Sequence, residues 1–137
     1  MENNDILIKK IKKLRKEKNA VILAHYYQIP EIQEIADFVG DSLDLSRKSA
    51  ETKAEMIVFA GVHFIAETAK ILSHEKSVFI PYVNSRCSLT ESCSADEFKE
   101  LREKYPDHIV VSYMNMTAEI KAMTDVTCTS TNAGTKP

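Results

Sequence analysis

Short apolar, β-branched runs recur along this chain and alternate with segments of helix length. The runs are Val21-Ile22-Leu23-Ala24, Met56-Ile57-Val58-Phe59-Ala60, Ser77-Val78-Phe79-Ile80 and His108-Ile109-Val110-Val111-Ser112. They lack the polar alternation of a half-exposed strand, and continuous apolar runs of this length suit strands buried on both faces. Between them lie Ile32 to Ala50 with a break near Gly40, Phe64 to Leu72, and Asp96 to Lys104. That order predicts an α/β chain in which a parallel sheet is flanked by helices. A fifth short strand is predicted over Val126 to Thr129, after a helix from Thr117 to Met123. Beyond it Asn132-Ala133-Gly134-Thr135-Lys136-Pro137 reads as a turn toward a further helix, because Gly and Pro do not propagate one.

Composition removes several classes. A chain of 137 residues, 44% hydrophobic and 28% charged, has enough apolar surface to bury a core. A net charge of -2 exerts no overall pull toward nucleic acid or an anionic membrane, so affinity for an anion has to come from a local site. The apolar stretches are a few residues long, too short to cross a bilayer. Cys87, Cys93 and Cys128 are odd in number and no secretory signal precedes them, which argues against a disulfide framework and for a reducing cytoplasm. Lys9, Lys10, Lys12, Lys13, Arg15, Lys16 and Lys18 crowd the first segment. Leu7, Ile11 and Leu14 fall at i, i+4 and i+7, so residues 1–19 read as a surface helix with its lysines solvated.

In open α/β sheets ligands bind outside the carboxyl ends of the strands. The residues that follow the five expected strands are His25-Tyr26-Tyr27, Gly61-Val62-His63, Ser85-Arg86-Cys87, Tyr113-Met114-Asn115 and Ser130-Thr131-Asn132. On one parallel sheet these groups would share a rim that carries an imidazole, phenols, an amide, hydroxyls and a thiol. Taken singly, His25 or Tyr27 also reads as an ordinary strand-end residue with satisfied hydrogen bonds. Their placement together is what points to a site. Gly40-Asp41-Ser42 is expected to end one helix at the glycine and start another, with Asp41 or Ser42 at the N-cap. Free N–H groups there suit a carboxylate or phosphate beside Ser42, and plain capping is the other reading.

The spacing of Cys87 and Cys93 is neither that of a zinc ribbon nor that of a ferredoxin. In an open loop either thiolate reaches a metal whose other ligands come from elsewhere. In a folded loop both are small apolar side chains. Cys128, inside the last expected strand, reads as core.

Several ordered blocks resemble the quinolinate synthase family. The first is His25-Tyr26-Tyr27-Gln28-Ile29-Pro30-Glu31-Ile32-Gln33, continued by Ala36-Asp37-Phe38-Val39-Gly40-Asp41-Ser42-Leu43. Phe59-Ala60-Gly61-Val62-His63-Phe64 with Ala66-Glu67-Thr68-Ala69-Lys70-Ile71-Leu72 is similar to a second block, and Cys87-Ser88-Leu89 to the family's first cluster cysteine. Tyr113-Met114-Asn115, Thr117-Ala118-Glu119, Lys121, Thr127-Cys128-Thr129-Ser130 and Asn132-Ala133 are similar to the start of a second module.

The resemblance implies condensation of iminoaspartate with dihydroxyacetone phosphate. Phosphate and water leave and the pyridine ring of quinolinate closes, in the cytoplasm, on the route to NAD, with L-aspartate oxidase supplying the iminoaspartate. It also implies a [4Fe-4S] cluster held by three cysteines, one from each of three αβα modules, with an open iron acting as Lewis acid. The implied domains are residues 1–19 as a basic helix, 20–107 as the first module and 108–137 as the incomplete start of the second. Cys87 resembles the first cluster ligand, whereas Cys93 and Cys128 match neither of the others. Tyr27 resembles a catalytic acid-base tyrosine and His25 a histidine that orients substrate or handles protons. Ser42, Tyr113, Asn115 and Ser130 resemble neutral donors that grip substrate oxygens. Two features depart from the family. Tyr82-Val83-Asn84-Ser85-Arg86 leads into Cys87 where the family carries acidic and small residues. The remaining cluster ligands are expected beyond Pro137, so the chain alone is expected to be inactive. The alternative is an inactive α/β module that retains only small-anion binding at Ser42, Asn115 and Ser130.

Overall fold

Buried β-branched runs become strands in a computed structural model that describes residues 2–130 and 132–134. The elements are α1 (Glu2–Glu17), β1 (Ala20–His25), α2 (Pro30–Ile35), β2 (Phe38–Gly40), α3 (Ser42–Glu51), β3 (Met56–Ala60), α4 (His63–Leu72), β4 (Ser77–Phe79), α5 (Ala95–Lys104), β5 (Val111–Tyr113), α6 (Ala118–Ala122) and β6 (Val126–Cys128). They fall into two units, Met1–Ser85 and Arg86–Pro137.

In the first unit four parallel strands lie in the order β2-β1-β3-β4. The chain steps from β1 outward to β2, then crosses back to place β3 on the other side of β1. The winding therefore reverses between β1 and β3, a topological switch point. Alternation along the strands assigns the two faces. Leu23, Ile57 and Phe59 are fully buried together with Leu45 of α3 and Ile65 of α4, and those two helices pack on each other. Ile22, Met56, Val58 and Phe79 line a groove of about 370 Å³ with Ile11 and Leu14 of α1. Lys76, nearly buried, donates its ammonium protons to the carbonyls of Ser49 (2.9 Å), Ala50 (3.3 Å) and Thr52 (2.7 Å). It thereby satisfies the carbonyls that a helix C-terminus leaves unpaired, at the negative end of the α3 dipole.

The segment expected to be one helix from Ile32 to Ala50, broken near Gly40, is a helix, a strand and a second helix. Asp37 explains the difference. Its carboxylate accepts the Ile22 N–H at 2.9 Å and pairs with the Arg15 guanidinium, while its own N–H donates to the Ile22 carbonyl at 2.8 Å. These bonds divert the backbone from helix to ladder, and Gly40 then ends a strand opposite His25 rather than ending a helix. Gly40 is suited to the spot by size: a Cβ there would lie 3.1 Å from the Phe38 ring and 3.2 Å from the Asp44 Cβ.

The second unit holds one parallel pair, β5-β6. The strand expected over His108 to Ser112 starts later, at Val111, because Asp125 occupies the preceding backbone. Its carboxylate accepts the Val110 N–H at 2.8 Å, and the N–H groups of Asp125 and Val126 donate to the Val110 carbonyl. Ser94 and Glu97 close a capping box at the start of α5, and the Thr117 hydroxyl caps α6 by accepting the Ile120 N–H. The Asn132 side chain accepts the Thr129 N–H at 2.7 Å, turning the chain after β6. The reading of Thr131 as a rim residue and of residues 135–137 as a turn lies outside the described residues. The strands thus divide between a four-stranded and a two-stranded sheet, so the single rim expected from five strands of one sheet is not formed as such. Among the described residues no helix is long and apolar enough to cross a membrane.

Candidate functional site

The end of β1 turns sharply. Gln28 donates its N–H to the His25 carbonyl at 2.9 Å, closing a β-turn with Tyr26 and Tyr27 at its centre. Tyr26 donates its N–H to the Gly40 carbonyl at the end of β2 (3.1 Å), and the Tyr27 N–H donates to His25 Nδ1 (3.3 Å). Three rings converge: the His25 centroid lies 4.6 Å from each tyrosine ring, and the tyrosine rings are 4.3 Å apart. The Tyr26 hydroxyl donates to the Tyr27 hydroxyl at 2.9 Å. His25 is 8% exposed and Tyr27 78%, so a fixed imidazole supports a phenol that stands in solvent.

Burial pushes the His25 imidazole below its usual pKa of 6.5, and the Asp41 carboxylate only partly opposes this. Burial thus favours the neutral ring over the charged one. Because Nδ1 accepts the Tyr27 N–H, the proton resides on Nε2. Beside His25, across the switch point, Gly61 follows β3. A Cβ at Gly61 would stand 3.6 Å from the His25 Cβ, ordinary contact, so the base of the His25 side chain lies beside that residue.

At the next strand end Asp41 caps α3: its carboxylate accepts the N–H groups of Leu43 (2.9 Å) and Asp44 (2.8 Å). Of the two expected N-caps the structure thus selects Asp41. Ser42, half-buried, is the first helical residue, and its carbonyl accepts the Ser46 hydroxyl. A negative side chain already occupies those two N–H groups, so Ser42 contributes a hydroxyl rather than an anion-binding helix terminus. His63 opens α4, donates its N–H to the Ser85 carbonyl at 2.8 Å, and places Nδ1 3.7 Å from the Glu67 carboxylate.

In the second unit, Cys87 lies just before a 3-10 turn over Thr90–Ser92, and its carbonyl accepts the Glu91 N–H at 3.1 Å. Burial pushes the Cys87 thiol up. Hydrogen bonds outweigh it: the N–H groups of Thr90 and Leu89, the Thr90 hydroxyl and the Asn115 amide together hold the thiol below its usual range. Asn115 Nδ2 stands 4.0 Å from the sulfur. The Thr90 hydroxyl is buried and makes no hydrogen bond of full geometry, although it lies near enough to the sulfur to favour the thiolate. Tyr113 ends β5 and Ser130 follows β6, both exposed at the same end of their parallel pair.

Cys87 fits the part of one soft metal ligand, since donors to sulfur stabilise a coordinated thiolate. Cys93 instead donates its S–H to the Ser94 carbonyl at 3.6 Å, and Cys128 is half-buried at the end of β6 rather than in the core, because a two-stranded sheet leaves its strands partly open. Among the described residues no group of three or more His, Cys, Asp or Glu side chains gathers around a common point. Among the described residues Cys87 thus has no second and third His, Cys, Asp or Glu gathered with it.

Of the residues expected at the site, the structure brings His25 and Tyr27 together on one turn, and Cys87 and Asn115 together in the second unit. Two participants escaped the sequence reading. Gln33 bonds the β1 turn from α2, and Thr90 sits under the Cys87 sulfur. Thr90 was signalled only by its place three residues after the cysteine, and Gln33 by nothing short of the reach of its amide.

A family model described as quinolinate synthetase A protein matches residues 9–135. Quinolinate synthase from Prochlorococcus marinus (strain MIT 9303) is 65% identical over 123 residues, which cover 90% of this chain and 37% of that protein. Quinolinate synthase from Gloeothece citriformis (strain PCC 7424) is 62% identical over 90% of this chain and 38% of its own length. The protein of that name from Prosthecochloris aestuarii (strain DSM 271 / SK 413) is 56% identical over 96% of this chain and 41% of its own length. The chain thus spans about two fifths of the curated relatives it matches.

Proposed function

The chain belongs to the quinolinate synthase family, and on that premise we propose that it serves the condensation of iminoaspartate with dihydroxyacetone phosphate to quinolinate, in cytoplasmic NAD synthesis. The observation that carries this reading is the aromatic turn at the switch point. A neutral His25 with its proton on Nε2 can donate to a substrate carbonyl, and an exposed Tyr27 phenol can give or accept a proton during isomerisation and elimination. Ser42 supplies a hydroxyl to the phosphate or a carboxylate, and Tyr113, Asn115 and Ser130 supply neutral donors to the remaining oxygens. The division into a first module over residues 20–107 and a second begun at 108–137 is part of the same reading. L-aspartate oxidase is the proposed source of iminoaspartate.

Cys87 is the residue that would hold a [4Fe-4S] cluster here, with further cysteines supplied from outside the described residues. When bound, the cluster supplies a Lewis acid. The role of Cys87 is to present a thiolate made stable by Leu89, Thr90 and Asn115.

Two measurements on this chain test the proposal. Titration with dihydroxyacetone phosphate, followed by NMR, should move the signals of His25, Tyr27 and Ser42; no movement at any of them removes the acid-base assignment. Anaerobic reconstitution with iron and sulfide, followed by iron analysis and an absorption spectrum, should yield no stoichiometric four-iron cluster. A full cluster with quinolinate formation would overturn the assignment of a single ligand to this chain.

A further inference from the structure

The β1 turn is over-determined for a surface feature. Its N–H groups are taken in succession by the Gly40 carbonyl, His25 Nδ1 and the His25 carbonyl. Its carbonyls are taken from outside by one side chain: Gln33 donates from Nε2 to the Tyr26 carbonyl at 3.1 Å and to the Gln28 carbonyl at 2.7 Å. One amide nitrogen, with two protons, thus spans both flanks of the exposed Tyr27. Gln33 is itself held in α2, where its N–H donates to the Ile29 carbonyl and its carbonyl accepts the Ala36 N–H. Pro30 fixes the start of that helix.

A mobile loop tip needs no such clamp, and a phenol that must meet a reacting atom does, because small misplacement of an acid-base group costs rate steeply. We propose that Gln33 is a positioning residue: its carboxamide sets the conformation of the turn and so the place of the Tyr27 hydroxyl relative to His25. It acts through the backbone and touches no substrate. The proposal rests on the acid-base reading of Tyr27 for its purpose, although the clamp itself does not depend on that reading.

The test uses the 137-residue chain, labelled for NMR, with Gln33→Ala and Gln33→Met; methionine keeps the length of the stem and removes both donors. The readouts are the cross-relaxation between the His25 and Tyr27 rings, the amide shifts of β1 and β3, and the affinity for dihydroxyacetone phosphate. Loss of the ring-to-ring signal with β1 and β3 amides unchanged, and binding weaker by roughly tenfold, is the expected result. Persistence of the ring contact in both variants overturns the inference. So does loss of the dispersed amide spectrum in both, which would make Gln33 a residue of the fold. If the wild-type chain does not bind dihydroxyacetone phosphate yet the ring contact still depends on Gln33, the functional reading fails and the clamp stands. If binding is unchanged while the ring contact is lost, the positioning role fails and the functional reading stands.

Discussion

The first unit buries its strands, and the second leaves its strands largely open. Leu23, Ile57 and Phe59 are 0% exposed, whereas Val111 in β5 is 58% exposed and Ile109 just before it 77%. The second unit has a small apolar set, Phe98, Met114 and Ile120 among its buried residues, and relies on directional polar contacts instead. Arg102 makes a two-pronged contact to Asp125 (2.5 and 3.1 Å), Asp125 holds Val110, and caps begin α5 and α6. Among the described residues, the buried hydroxyls without a full hydrogen-bond partner, Thr90 and Ser112, also lie there. Two ways of making α/β structure thus sit in one chain: one by burying apolar area, the other by pinning the backbone with polar bonds.

Truncating the core should break the first unit most severely. Phe59→Ala is expected to cost about 3–5 kcal/mol, read as a lower denaturant midpoint for the amides of β1 and β3. A comparable loss of protection at β5 and β6 would show that the contrast between the units is not energetic. A change of opposite sign should sharpen it. Ser112→Ala removes a buried hydroxyl whose desolvation is not repaid, and should stabilise the second unit by about 1 kcal/mol. Destabilisation of that size would mean that the hydroxyl has a partner.

Acid should separate the units by where each begins to yield. For His25 the folded pKa lies below the unfolded value of 6.5, so between the two the unfolded chain binds the extra proton and stability falls as pH falls from about 6.5. Asp125 is lowered from 3.8, first by the Arg102 hydrogen bond and then by the Val110 N–H. Its contribution is present above that value and is lost only as pH drops through the lower folded pKa. Hydrogen exchange across pH 7 to 3 should show the β1 and β3 amides responding at milder acidity than those of β5 and β6. The reverse order would place the acid-sensitive group elsewhere.

Much of the fold was legible because buried strands announce themselves locally: β1, β3 and β4 follow the apolar runs closely. β2 was not, since three residues around Gly40 carry no periodic signal and owe their state to Asp37 reaching Ile22. The apolar runs by themselves did not tell which strands share a sheet, because that depends on pairing between distant segments. At the site, His25 and Tyr27 were legible as strand-end residues, and Asn115 as a rim donor. That Asn115 stands near the Cys87 sulfur, and that Gln33 holds the turn, depends on side-chain reach across 28 and 5 to 7 residues of sequence, which no spacing rule reports.

Lys76, sealed against three carbonyls at the end of α3, gives the first unit an internal gauge. An amine-directed acylating reagent meets the lysines of α1 in open water, but it meets Lys76 only when that helix end lifts away. The lag between the two labelling rates, followed by mass spectrometry, therefore clocks the opening of α3 in the intact chain without any engineered probe.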